Sequence, residues 1–150
     1  MLIVINNFID NLDGHFHAVK AHVDKLKYYS DTELNDGTRF AGRRTQNVIG
    51  QFPRINQQLS ETFRDVEWLK IQCHKHTGNP DRVLTHMHKD EFHYAGVIYL
   101  RGGQGCGTVV GDNVIGFKQN RLVFYDAQIP HRPQGFPVDR MTISFFGRKR

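Results

Sequence analysis

Cysteine is scarce in this chain. Cys73 and Cys106 are its only two, too few for a disulfide framework, so free thiols in a reducing compartment are expected. Long apolar runs are absent as well. The N-terminal Met1-Leu-Ile-Val-Ile5 stops at Asn6-Asn7, short of the apolar core of a signal peptide. No stretch approaches the roughly 20 apolar residues that a membrane helix requires. Low-complexity tracts, and the disorder they bring, are missing too. Together these absences argue against a disulfide-stapled secreted scaffold and a helical membrane protein. They lead to the expectation of a soluble cytoplasmic chain with no membrane partner.

What is present suits one folded unit. A length of 150 residues is enough to bury a core but too little for a second domain. Hydrophobic residues make up 39% and aromatic residues 11% of the chain, ordinary values for a globular domain. Eleven Phe and fourteen Gly lean the second half towards strands and turns. The net charge is +5, and Gly147-Arg-Lys-Arg150 gathers three cations at the end. A basic tail can meet nucleic acid or another acidic partner. The plainer reading is a solvated terminus.

The order of signals gives the architecture. Leu2 to Ile5 reads as a short buried strand. Asp10 to Asp13 offers N-caps for a helix in which Phe16, Val19, Val23 and Leu26 recur at helical spacing, ending near Tyr28-Tyr29. His15 and His22 share a face of that helix and read as surface residues. Residues 30–44 are polar and turn-rich, with Asn35-Asp36-Gly37 and Ala41-Gly42-Arg43-Arg44, a loop of functional length. Pro53 is placed to open a second helix over residues 52–63, carrying Ile55, Leu59 and Phe63 on one side.

From Glu67 the period changes to two. Residues 68–76 read as extended, with Leu69, Ile71 and Cys73 on one face and Trp68, Lys70, Gln72, His74 and His76 on the other. Thr77 to Pro80 is a turn, and Val83 to Met87 a strand. Tyr94 to Leu100 is a buried strand, followed by the glycine-rich Arg101–Gly107 turn. Residues 107–110 and 114–117 flank Gly111-Asp112-Asn113, a hairpin signal. Arg121–Tyr125, His131–Gln134 and Arg140–Phe146 complete the set. About eight strands without intervening helices predict a mainly β sandwich or barrel, with two N-terminal helices packed outside. One domain, 1–150, divides into an N-terminal strand, helices and loop (1–66) and a β core (67–150).

The chemistry gathers between these strands. His86, His88 and Asp90 alternate, so in an extended segment they project from one face. Imidazoles and a carboxylate together suit a divalent first-row metal such as Fe(II). His131 follows a strand further on, and Arg140 opens the last one. The ordered set His88-x-Asp90, Tyr94-Ala-Gly-Val-Ile-Tyr-Leu100, Gly107-Thr108, Asn120–Tyr125, His131 and Arg140 resembles the Fe(II)/2-oxoglutarate-dependent dioxygenases. The likeness is to their small prolyl-hydroxylase-like members in phages and bacteria, and it covers roughly the second half of the chain.

The resemblance implies a double-stranded β-helix (jelly roll) in which His88, Asp90 and His131 hold Fe(II). It implies 2-oxoglutarate and O2 as co-substrates. Decarboxylation to succinate and CO2 would be coupled to oxidation of a substrate C–H bond. Arg140 is then the partner of the distal 2-oxoglutarate carboxylate, which an arginine fork meets with two parallel bonds. Thr142 lies two residues along the same strand face. Tyr99 stands where related hydroxylases place a tyrosine on that carboxylate, although it reads equally well as a core tyrosine. Tyr94 and Gln72 are further candidates for contacts near the iron. Residues 30–44 fall where such proteins cover the site, which would bring Arg39, Arg43 or Arg44 to the substrate. Arg101 and the glycine-rich turn after it depart from the usual pattern and shape the pocket mouth differently.

Rival readings stay open. A cupin-like site would use His86 and His88, but its glutamate would fall later than Glu91 does. A zinc site from Cys73, His74, His76 and Cys106 fails because neighbours on a strand face opposite ways. A jelly roll that binds without turnover is the non-enzymatic alternative. The resemblance makes a bacterial cell or a phage-infected host the setting. The substrate is open among protein side chains, amino acids, nucleobases and small metabolites.

Overall fold

Residues 140–146 alternate Arg-Met-Thr-Ile-Ser-Phe-Phe, and both sets are largely buried: Met141, Ile143 and Phe145 on one face, Arg140, Thr142 and Phe146 on the other. A strand covered on both sides must lie inside a sheet that has a layer against each face. The computed structural model, which describes residues 1–37, 40–76 and 92–150, places it there. Strand β9 (Arg140–Lys149) runs between β3 (Val66–His76) and β4 (Tyr94–Arg101). Strands β7 (Leu122–Asp126) and β1 (Leu2–Ile5) extend the sheet on one side, and the two-residue β2 (Arg43–Arg44) on the other. All five pairings in this order, β1-β7-β4-β9-β3-β2, are antiparallel.

One face of this sheet is covered by helices. In α1 (His15–Asp24), Phe16, Val19 and Val23 are buried, and in α3 (Pro53–Thr62), Ile55 and Leu59. They pack with Ile71, Ile98, Leu100, Leu122, Phe124, Ile143 and Phe145. Each fully buried side chain of this size contributes about 1.5–3 kcal/mol. The opposite face meets a second sheet, β6-β5-β8, made of β5 (Thr108–Val110), β6 (Asn113–Ile115) and β8 (His131–Pro133). The layer between the sheets holds Ala95, Val97, Tyr99, Val110, Val123, Tyr125 and Phe146. Two facing antiparallel sheets with helices outside form a mainly β jelly roll, as the sequence led us to expect.

Three local details differ from the sequence reading. The register between β3 and β9 shifts between Trp68 and Lys70. The bulge turns Trp68 into the helix-side core with Ile71 and Cys73, instead of grouping it with Lys70 and Gln72. Asn47 ties down the bulged backbone, accepting from the Ile71 N–H at 3.1 Å and donating to the Leu69 carbonyl at 3.3 Å. Second, the basic tail is not a loose terminus. Arg148 and Lys149 lie within β9, paired with Glu67 and Val66, and Arg148 bridges Glu67 at 3.0 Å. Third, the polar stretch after Ser30 contains a short helix, α2 (Asp31–Leu34), closed by a reciprocal Ser30–Glu33 capping box. The N-terminal segment also contributes β1 and β2 to the main sheet, so the β core is not confined to residues 67–150. Among the described residues no helix is long and apolar enough to cross a membrane.

Candidate functional site

Cross-strand pairing decides which side chains face the space between the sheets. His76 pairs with Arg140, His74 with Thr142, and Thr142 in turn with Tyr99. Partners across a ladder share a face, so these five residues form one polar wall in that layer.

Arg140 is the most demanding of them, since only 4% of its surface is exposed. Its Nε donates to the Cys106 carbonyl at 2.7 Å and Nη2 reaches the Gly107 carbonyl at 3.4 Å. The guanidinium lies 5.6 Å from the Tyr99 ring and 5.7 Å from the Phe136 ring. Among the described residues no carboxylate pairs with it. The charges and dipoles around it belong to Tyr99, Cys106 and Tyr125, and burial is the main influence, pulling its pKa down. A buried cation without a counter-ion costs several kcal/mol. The two carbonyls use one edge of the guanidinium, so Nη1 and part of Nη2 still offer donors to an anion.

Beside it, the Tyr99 hydroxyl and Thr108 Oγ1 lie 2.6 Å apart, both buried. One proton is spent between them and one remains to donate. Burial pushes the Tyr99 pKa up, against the opposing pull of the Thr108 bond and the Arg140 charge, so the phenol keeps its proton at neutral pH. An arginine fork beside a hydroxyl donor is a donor set whose chemistry suits a carboxylate.

His131 enters from the smaller sheet, across from Val110. It is 3% exposed, and its ring centroid is 4.6 Å from that of Tyr125. Nδ1 lies 2.7 Å from the Ile129 carbonyl. A carbonyl only accepts, so Nδ1 carries the proton and the lone pair sits on Nε2. That is the tautomer a metal-ligating histidine needs.

The comparisons with known proteins bear on the fold. No protein-family model matches the chain, and no curated protein matches it. Solved structures do. A 2OG-Fe(II) oxygenase family oxidoreductase from Burkholderia pseudomallei is similar at TM-score 0.72 with 11% identity, over 99% of this chain and 84% of that one. The viral collagen prolyl hydroxylase of Paramecium Bursaria Chlorella virus-1, a 2-oxoglutarate complex, gives 0.67 at 10% identity, over 99% and 96%. HygX from Streptomyces hygroscopicus, with nickel and 2-oxoglutarate bound, gives 0.67 at 12%, over 97% and 82%. The chain has the fold of the 2-oxoglutarate/Fe(II) oxygenases. At these identities the likeness is one of fold, and function must be argued from the site.

Within that fold, the expected site residues divide into three groups. Arg140, Thr142, Tyr99 and His131 all face the space between the sheets. His88 and Asp90, with His86 and Arg39, lie outside the described residues. Accordingly, no cluster of three His, Cys, Asp or Glu side chains able to hold a metal occurs among the described residues. Tyr94 is on the other face of β4, stacked on Phe124 with centroids 5.3 Å apart in the helix-side core. Gln72 is buried but engaged, its Nε2 donating to the Thr45 carbonyl at 2.7 Å. Arg44 is held by Asp36 at 3.0 Å and by the Phe40 ring at 3.9 Å. Cys73 lies in the helix-side core, where burial pushes its pKa up to about 12, while His74 and His76 pair across β3 and β9 into the other layer. The sequence reading gave no role to Phe136, Tyr125 or His76 in this wall. Phe136 sits in a loop with no periodicity to mark it. His76 was placed on the correct face.

Proposed function

We propose that this protein is a non-haem Fe(II)- and 2-oxoglutarate-dependent dioxygenase of the hydroxylase type, working in the cytoplasm of a bacterial cell or phage-infected host. The observation that carries the reading is the buried Arg140 guanidinium, which has no carboxylate among the described residues and sits beside the Tyr99–Thr108 hydroxyl pair in a 2-oxoglutarate oxygenase fold.

In this reading Arg140 binds the distal carboxylate of 2-oxoglutarate through its fork. Tyr99 or Thr108 adds a hydrogen bond, and Thr142 lines the same wall. His131, with Nδ1–H fixed on the Ile129 carbonyl, presents Nε2 to the metal alongside His88 and Asp90. Two imidazoles and a carboxylate on iron leave positions for co-substrate and O2. The loaded centre would supply oxidative decarboxylation of 2-oxoglutarate to succinate and CO2, coupled to oxidation of a substrate C–H bond. Tyr94 has no part in it, because its ring serves the helix-side core.

The substrate class follows only in outline. HygX has been solved with hygromycin B, and a Trichoplax adhaerens prolyl hydroxylase with a hypoxia inducible factor peptide fragment. Small molecules and protein side chains are therefore the first classes to screen, before free amino acids and nucleobases. Arg148 and Lys149 belong to the end of β9, with their side chains exposed.

The test is succinate formation from Fe(II), 2-oxoglutarate and O2, with or without a candidate substrate. Wild-type protein should form succinate in an iron-dependent manner, and Asp90→Ala should lose at least about 100-fold of the rate, roughly 2.7 kcal/mol. No succinate from folded, iron-loaded wild type would contradict the assignment.

A further inference from the structure

His76 is not explained by packing alone. It is 5% exposed, and among the described residues its buried Nδ1 has no hydrogen-bond partner. Burial lowers the pKa of the ring, and the neighbouring Ala41 backbone opposes that shift. Next along the chain, Gly42 has a φ of +72°, and a Cβ there would collide with the His76 ring and the Lys75 carbonyl. The segment 41–42 thus presses on one edge of the imidazole. On its flat side the imidazole stacks on Phe136, with centroids 3.8 Å apart and planes 8° from parallel. Phe136 in turn flanks the Arg140 guanidinium, and His76 pairs with Arg140 across β3 and β9.

From this chain of contacts we infer that His76 is a positioning residue. Through Phe136 it holds the Arg140 fork in the orientation that receives a dicarboxylate, and it links that fork to the Ala41–Gly42 backbone. The inference rests on the proposed binding of 2-oxoglutarate at Arg140. Among the described residues Arg140 has two hydrogen bonds to backbone carbonyls, and the longer is 3.4 Å. The Tyr99 and Phe136 rings lie 5.6 Å and 5.7 Å from the guanidinium. A guanidinium free to tilt loses the two parallel bonds that distinguish it from a lysine. Phe136 comes from the loop between β8 and β9, so its place depends on what it stacks against. A neutral ring is required there, because a second cation next to Arg140 would repel it. Burial first, and the Arg140 charge second, keep His76 neutral by holding its pKa down to about 3.

The experiment measures 2-oxoglutarate affinity by calorimetry on the Mn(II)-loaded protein, with Mn(II) affinity measured separately. His76→Ala should raise the 2-oxoglutarate Kd about tenfold and leave Mn(II) affinity unchanged. His76→Phe keeps the stack and should stay within about threefold of wild type. Phe136→Leu should match His76→Ala, and the double variant should be no weaker than either single one, because both remove one support. Gly42→Ala should weaken binding in the wild-type background and have no further effect beside His76→Ala. Should that strained variant fail to fold, the His76/Phe136 cycle decides alone. Wild-type affinity in His76→Ala, equal losses in His76→Ala and His76→Phe, or additive losses in the cycle would overturn the positioning role. Failure of wild type itself to bind 2-oxoglutarate would instead overturn the function proposed above.

Discussion

Arg140 illustrates how a functional residue opposes stability. Without a dicarboxylate its buried charge is met, among the described residues, by two carbonyls and two nearby rings. Arg140→Met, of similar length and apolar, should stabilise the ligand-free protein by about 1–2 kcal/mol while losing 2-oxoglutarate binding. Urea midpoints with and without 2-oxoglutarate would show this, and a destabilised ligand-free Arg140→Met would contradict it. His76 makes a prediction in pH. Its folded-state pKa of about 3 lies below the ordinary 6.5, so protons favour the unfolded chain between those values. Stability is full above pH 6.5 and falls as the pH drops towards 3. By pH 4 the loss from this one group is roughly 3 kcal/mol. His76→Phe should therefore lose less stability than wild type between pH 7 and pH 4; parallel melting curves would refute the assignment. At this scale the sequence was informative about identity and less so about direction. Arg140, Thr142, Tyr99 and His131, which the resemblance points to, are brought together between the sheets, and their roles await the tests above. Tyr94 and Tyr99 are five apart on one strand, an odd number, and alternation alone puts them on opposite faces. That signal was present and outweighed by the resemblance.

Elements held or failed for reasons that can be named. Strand alternation placed β3, β4, β7 and β9 well, because a two-residue period survives wherever the ladder is regular. It failed at Trp68, where one extra residue reverses the faces, and nothing in the local sequence marks the bulge. The Ser30-x-x-Glu33 capping signal is readable in the sequence and stands inside the stretch read as a loop of functional length. The join between the N-terminal segment and β7 depends on Asn120, which has a φ of +62°. Its Oδ1 accepts from the Ile9 N–H at 2.9 Å and its Nδ2 donates to the Ile9 carbonyl at 2.7 Å. No sequence rule pairs residues 111 positions apart. Asn120→Ala should cost about 3 kcal/mol by leaving both Ile9 groups buried and unpaired. Asn120→Gly relieves the backbone and should still lose most of that amount. A near-neutral Asn120→Gly in chemical denaturation would mean that conformation, and not the two bonds, is what Asn120 supplies.

The whole molecule is a division of labour between two layers. The helix-side face of the main sheet is almost wholly apolar, with Ile98, Leu100, Phe124, Ile143 and Phe145 as its floor. The inner face mixes Tyr99, Thr142, His76 and Arg140 with Val97 and Phe146. Apolar packing on one side can offset the cost of burying a cation and two histidines on the other. This asymmetry was partly visible beforehand, since polar residues recurred at inward positions of β3 and β9, where a sheet buried on both faces should carry none without a purpose. What could not be read was the closure of the second sheet over them, because it depends on where the loop carrying Phe136 returns.

The measurement that bears most directly on the proposed chemistry is an anaerobic titration of the metal-free protein with Fe(II) and then 2-oxoglutarate, following the visible metal-to-ligand charge-transfer band. Wild type should develop the band, Asp90→Ala should not, and Arg140→Met should require about 100-fold more 2-oxoglutarate. Folded, iron-loaded wild type that shows no band at saturating 2-oxoglutarate would contradict the dioxygenase assignment.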